Sequence, residues 1–138
     1  MKIKTLLTVL FFFSLLSGVV SQPQRFTITH GPYLQGLTET EVTIVWTTSD
    51  VGISWVELAP DDSTHFYLTE RPKFFSESYG FKVVDSVHTV TLTGLNPNTT
   101  YRYRVYSQEV LSHQGTKVLY GDVAASNVYR SRPLEFTT

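Results

Sequence analysis

Twelve residues in the second half of the chain, Gly94-Leu95-Asn96-Pro97-Asn98-Thr99-Thr100-Tyr101-Arg102-Tyr103-Arg104-Val105, constrain the fold more than any other stretch. An alternating run, Val87–Gly94, leads in, with Val90 and Leu92 on one face and Thr89, Thr91 and Thr93 on the other. A second run, Tyr101–Tyr106, leads out. It puts Tyr101, Tyr103 and Val105 on one face and points Arg102 and Arg104 to solvent. This two-residue period is that of a half-buried strand. Between the runs, Leu95 plugs the core at a strand end and Pro97 turns the chain from one sheet to the other. Tyr101 opens the next strand with its hydroxyl in reach of the corner backbone. That arrangement is the tyrosine corner of Greek-key sandwiches.

The rest of the chain agrees. Glu41–Thr48 alternates, with Val42, Ile44 and Trp46 on one face and Thr43 and Thr47 on the other. Further strands are expected at Arg25–Thr29, Ser54–Ala59, His65–Thr69, Gly80–Val84 and Val128–Thr137, for seven or eight in all. Gly31-Pro32, Ser49-Asp50-Val51-Gly52, Pro60-Asp61-Asp62-Ser63 and Asn96-Pro97-Asn98 are turn signals. Arg71–Tyr79 and Gln108–Ser126 read as less regular connections. The second is long enough to be a functional loop or to carry a small hairpin of its own. The expected fold is an all-β antiparallel sandwich with no helix.

The first residues follow another logic. Met1-Lys2-Ile3-Lys4 is basic, Leu6–Val20 is apolar, and Val19-Val20-Ser21 offers a small residue for cleavage. These are the parts of a secretory signal. The apolar run, broken by Thr8, Ser14 and Ser17, is shorter than the ~20 residues a membrane span needs. Residues 1–21 are therefore read as a signal peptide and 22–138 as the mature domain, with no membrane span once the signal is cleaved. The protein is expected to be exported, periplasmic, cell-surface or secreted, from a bacterium. Cleavage removes Lys2 and Lys4, which leaves nine basic against twelve acidic side chains. Such a balance gives no general attraction to nucleic acid. The absence of cysteine excludes disulfides, thiolate metal sites and a cysteine nucleophile.

With Trp46 on an early strand, the corner resembles the fibronectin type III fold, an immunoglobulin-like sandwich. A narrower resemblance runs through Ile28-Thr29-His30-Gly31-Pro32-Tyr33-Leu34-Gln35, the strand VTIVWTT, Val56-Glu57-Leu58, Tyr79-Gly80-Phe81, His88-Thr89-Val90-Thr91-Leu92, the corner itself and the closing Leu134-Glu135-Phe136-Thr137-Thr138. This order is similar to the N-terminal domain of purple acid phosphatases and related bacterial metallophosphoesterases. The GPYLQ opening and the FTT ending are its more specific parts. The resemblance implies an accessory domain ahead of a catalytic domain. The parent would hydrolyse phosphate esters at a dinuclear metal centre, iron with iron, zinc or manganese, held in that catalytic domain. The family's Asp, Asn and His metal motifs have no counterpart here; Gly121-Asp122 is the only Gly-Asp pair. No cofactor and no catalytic residue is therefore assigned to this chain. Its expected partner is a metallophosphoesterase domain C-terminal to Thr138, where the chain stops on a predicted strand as a domain cut at its boundary would.

The remaining chemistry is sparse. His30, His65, His88 and His113 are scattered, without the spacing of a metal site. His88 shares parity with Val90 and Leu92 and is read as packed at the edge of the core. Asp61-Asp62 belong to a turn, and Asn98-Thr99-Thr100, a glycosylation acceptor by pattern, is read as turn residues. No Gly-x-Ser-x-Gly elbow is present. Aromatic residues are the better candidates: Phe66, Tyr67, Phe74, Phe75, Tyr79 and Phe81 fall in one stretch, and Trp55 has the opposite parity to Val56. Sandwich filling, a domain interface or a ligand platform would each use them. Tyr33, Trp55, Phe74, Phe75 and Tyr79 are the candidates for an interdomain interface. Trp46, Leu95, Pro97 and Tyr101 are the fold signature. The competing expectation is a free-standing secreted binding or adhesion module with an exposed aromatic patch.

Overall fold

A computed structural model describes residues 24–60, 65–126 and 134–138. The strands are β1 (Ile28–Gln35), β2 (Glu41–Pro60), β3 (Lys73–Phe75), β4 (Glu77–Ser78), β5 (Phe81–Lys82), β6 (Asp85–Thr93), β7 (Thr100–Gln114), β8 (Lys117–Ala125) and β9 (Leu134–Thr137). The described residues form no helix, and every strand pairing is antiparallel. The predicted residues 1–21 lie outside the described ones, as do Asp61 and Asp62.

β2 organises the molecule. Its first half pairs with β1 and β6, and its second half with β3 and β7. Gly52, where β2 passes from one layer to the other, faces Asp85 on one side and Glu109 on the other. Hence β1 and then β7 lie along one edge of β2, and β6 and then β3 along the other. β8 and β9 both add to β7, at opposite ends of it. Ser49–Gly52, expected as a turn, is therefore a bend inside one strand. Strands that change layer do so through bends and bulges, and the register against β6 shifts between Thr47 and Gly52. A Cβ on Gly52 would stand 2.6 Å from the Gln108 carbonyl oxygen, so glycine permits the close crossing.

The core follows the predicted alternation. Val42, Ile44, Trp46, Val56, Leu58, Val90, Leu92, Leu95, Tyr101, Tyr103, Val105 and Phe136 form one buried cluster. The corner closes as expected: the Tyr101 hydroxyl accepts the Asn96 backbone N–H at 2.9 Å, and Asn98 takes a positive φ of 49°. Thr138 ties the same corner shut, its hydroxyl donating to the Asn96 carbonyl at 2.6 Å.

Other boundaries move for local reasons. The first strand is Ile28–Gln35 and not Arg25–Thr29; it runs through Gly31-Pro32, with register shifts on both sides of His30. An edge position tolerates a proline that a central strand would reject. His65–Thr69 is a turn, because the Leu68 and Tyr67 amides both return to His65. Arg71–Tyr79 holds β3 and β4, and Gly80–Val84 contracts to β5. Gln108–Ser126 is the greater part of a long hairpin whose two-residue turn, Gly115-Thr116, carries its positive φ on the glycine. Of Val128–Thr137, only β9 falls within the described residues.

Candidate functional site

The five candidate interface residues separate into three groups. Phe74 points inward and packs against the core cluster. Trp55 and Phe75 point outward from β2 and β3 as a cross-strand pair, with ring centroids 5.8 Å apart. Tyr33 on β1 is 56% exposed, and Tyr79 is fully exposed at the tip of the β4–β5 hairpin. Tyr79 and Gly80 both have positive φ (52° and 80°), the backbone of a type I′ turn. Glycine takes that conformation freely; a tyrosine held there with nothing over its ring is an outlier of the kind found at functional surfaces.

Around Trp55 the outer face is a ladder of rings on edge. Tyr106 on β7 stacks on Trp55 at 5.2 Å with planes 3° apart. Lys82 Nζ sits 3.9 Å from the Phe75 centroid, and the Arg104 guanidinium lies over both Tyr106 and Tyr67, at 5.0 and 5.2 Å. Each cation finds a π-face, an arrangement worth ~0.5–1 kcal/mol at exposed sites. Arg104 also donates from Nε to the Ser126 carbonyl at 2.8 Å and from Nη1 to the Tyr67 hydroxyl. Arg102 is buried and donates to the Pro60 carbonyl at 3.2 Å from Nη2. The expected solvated arginines are thus structural, because the segment carrying Tyr67 folds over the strand face on which Arg104 stands. In this ladder Trp55 turns a face to Tyr106, which disfavours the stacking of a flat ligand on it.

The histidines do not come together. His30 Nδ1 lies 3.2 Å from Thr47 Oγ1, His65 rests against Tyr67, and His113 pairs with Val118 in the long hairpin. His88 is 1% exposed, fully inside the core rather than at its edge. Its ring packs against Trp46 and its Nε2 lies 2.8 Å from Thr48 Oγ1. Burial pushes its pKa down to about 4, against a smaller upward pull from Asp85. Among the described residues, no three His, Asp or Glu side chains are placed to hold a metal ion. A dinuclear centre therefore does not fit the described residues. The groove beside β6, about 410 Å³, is lined by Phe75, Ser76, Glu77, Val83, Val87, Thr89 and Thr91, with Glu77 its one titratable group.

Two further exposed apolar surfaces lie outside the five interface candidates, one of them at Phe81 of the predicted aromatic stretch. Phe81 is exposed beside Tyr79, and Leu111, Leu119, Tyr120 and Val123 are exposed on the β7–β8 hairpin. A Gly-Thr pair between two runs rich in valine and leucine was the available signal for that hairpin.

Comparison with known proteins bears on what such a domain belongs to. No curated protein matches the chain. Among solved structures, the chain is similar to one described as a computer-based redesign of a β-sandwich protein, at 18% identity and a TM-score of 0.45, over 81% of this chain and 93% of that one. A family model described as the purple acid phosphatase N-terminal domain matches residues 30–138. This all-β chain belongs to the purple acid phosphatase N-terminal domain family.

Proposed function

We propose that the chain is the non-catalytic N-terminal domain of an exported phosphatase whose catalytic domain follows Thr138. The observation that carries this reading is the family match across residues 30–138. In the parent, a metal centre held by residues outside this chain would supply the hydrolytic chemistry. This chain would contribute a rigid body and a docking surface. Trp55, Phe74 and Phe75 hold the domain itself together, since each is at least half covered by its neighbours. Tyr33 and Tyr79 are the exposed members of the candidate set and are the ones proposed to touch the catalytic domain. Exposed tyrosine suits such a role because it adds large contact area at low conformational cost.

The test is the native protein detected with an antibody against residues 22–138. A band several times heavier than 15.7 kDa, with metal-dependent hydrolysis of p-nitrophenyl phosphate in the immunopurified material, is expected. A band slightly below that mass, without activity, would overturn the reading in favour of a free-standing secreted module. In the full-length protein, replacing Tyr33 and Tyr79 by alanine should loosen the domain against its neighbour, seen as separate melting transitions. The same pair in the isolated domain should change stability by less than ~0.5 kcal/mol, as surface substitutions usually do.

A further inference from the structure

At the end of the sandwich opposite the tyrosine corner, a buried chain of polar groups holds the bend in β2. The Thr48 hydroxyl donates to the Asp50 carbonyl at 2.7 Å. Its proton is thereby used, so Thr48 Oγ1 accepts from His88, which carries its proton on Nε2. This tautomer follows from the network. His88 Nδ1 has no hydrogen-bond partner among the described residues. The bend is also tied outward: the Ser49 amide donates to the Thr27 carbonyl at 2.9 Å, and the Thr27 amide donates to Ser49 Oγ at 3.0 Å. Both hairpins take root here. The long β7–β8 hairpin leaves the body just beyond Glu109, which faces Gly52. The chain returning from the β4–β5 hairpin re-enters at Asp85, which faces Gly52 from the other side.

We propose that this bend is an acid-opened latch: protonation of His88 drives its ring out from beside Trp46, the His88–Thr48–Asp50 chain breaks, and the Thr48–Gly52 bend and the roots of both hairpins loosen while the tyrosine-corner end stays closed. A second proton, at Nδ1, places a charge on a side chain that is almost wholly withdrawn from water. The acids and bases nearby do not compensate it. On β6, the exposed Asp85 carboxylate is engaged by the Ser86 and Val87 amides, at 2.6 and 3.2 Å, and pulls only weakly on the ring. On β2, Asp50 Oδ1 accepts the Val51 amide at 2.7 Å. On β7, the Glu109 carboxylate turns away to the Asp122 amide at 3.3 Å. Ahead of and on β1, Arg25 and His30 are exposed, and neither acts on the ring. Burial outweighs the pull of Asp85. The folded state therefore resists the proton: the latch is shut above the ordinary histidine pKa of 6.5 and gives way as pH falls from there toward about 4.

Amide hydrogen exchange of the full chain at pH 7 and pH 4.5, corrected for intrinsic rates, tests this. Protection of Ser49, Gly52 and the Asp85–His88 amides should fall at least tenfold at pH 4.5, while Asn96 and Tyr101–Val105 keep theirs. His88→Gln should abolish the difference between the two pH values. Equal loss at both ends would mean whole-domain unfolding and would overturn the latch, as would an acid response that survives in His88→Gln. If that variant does not fold, Asp85→Asn serves. There the acid loss at the bend should persist, because burial and not Asp85 opposes the proton, and a response that disappears with Asp85 refutes the idea.

Discussion

The Trp46 indole Nε1–H donates to Ser107 Oγ at 2.9 Å, from β2 in one layer to β7 in the other, and both residues are fully buried. It is a polar tie between the two layers through the interior. Ser107→Ala leaves the indole N–H without a partner, at a cost of about 1–3 kcal/mol. Urea unfolding followed by tryptophan fluorescence should show it. On a Trp46→Phe background the same change should cost less, because no donor remains to be orphaned.

Tyr101→Phe removes the acceptor of the Asn96 amide and leaves the ring stacked on Phe136 at 5.6 Å. Loss of one hydrogen bond without loss of packing should destabilise by about 1 kcal/mol. Chemical denaturation should give a lower midpoint at an unchanged slope.

Gly52→Ala tests the crossing of β2 over β7. The added methyl would meet the Gln108 carbonyl at 2.6 Å and Phe26 Cζ at 3.1 Å. Backbone cannot rotate away as a side-chain tip can, so overpacking should cost about 1–3 kcal/mol. A fall in Tm of several degrees is expected by calorimetry.

Tyr103 supplies a pH dependence at the alkaline side. Burial raises its phenol pKa from 10.0 to about 12. A folded pKa above the unfolded one means that the neutral phenol's contribution is intact below pH 10 and is lost as pH climbs to 12. Two pH units correspond to roughly 3 kcal/mol. Tyr103→Phe should flatten this part of the stability curve relative to wild type in denaturant titrations between pH 9 and 12.

The parts of this fold that repeat were legible in the residues. Val42, Ile44, Trp46, Val90, Leu92, Tyr101, Tyr103 and Val105 were assigned to the core by alternation alone, and all are buried. A polar residue breaking an apolar face was harder to read. His88 had the right parity, but its burial depends on Thr48, forty residues away, supplying a hydroxyl. Arg102 and Arg104 looked solvated because nothing in their own strand reveals the segment that folds over it. Gly52 looked like a turn because glycine marks turns and close crossings alike. For the candidate surface, sequence identified aromatic residues without separating ladder from tip. That distinction lies in Tyr106, a partner contributed by another strand.

The single strand β2 has a consequence for the order in which the chain can acquire structure. Its residues, 41–60, emerge early from the ribosome, yet its partner β6 ends at Thr93 and β7 extends from Thr100 to Gln114. Neither layer can close on local contacts. Nearly the whole domain must be synthesised before its interior forms, and the distant pairings make folding slow relative to a helical domain of this length.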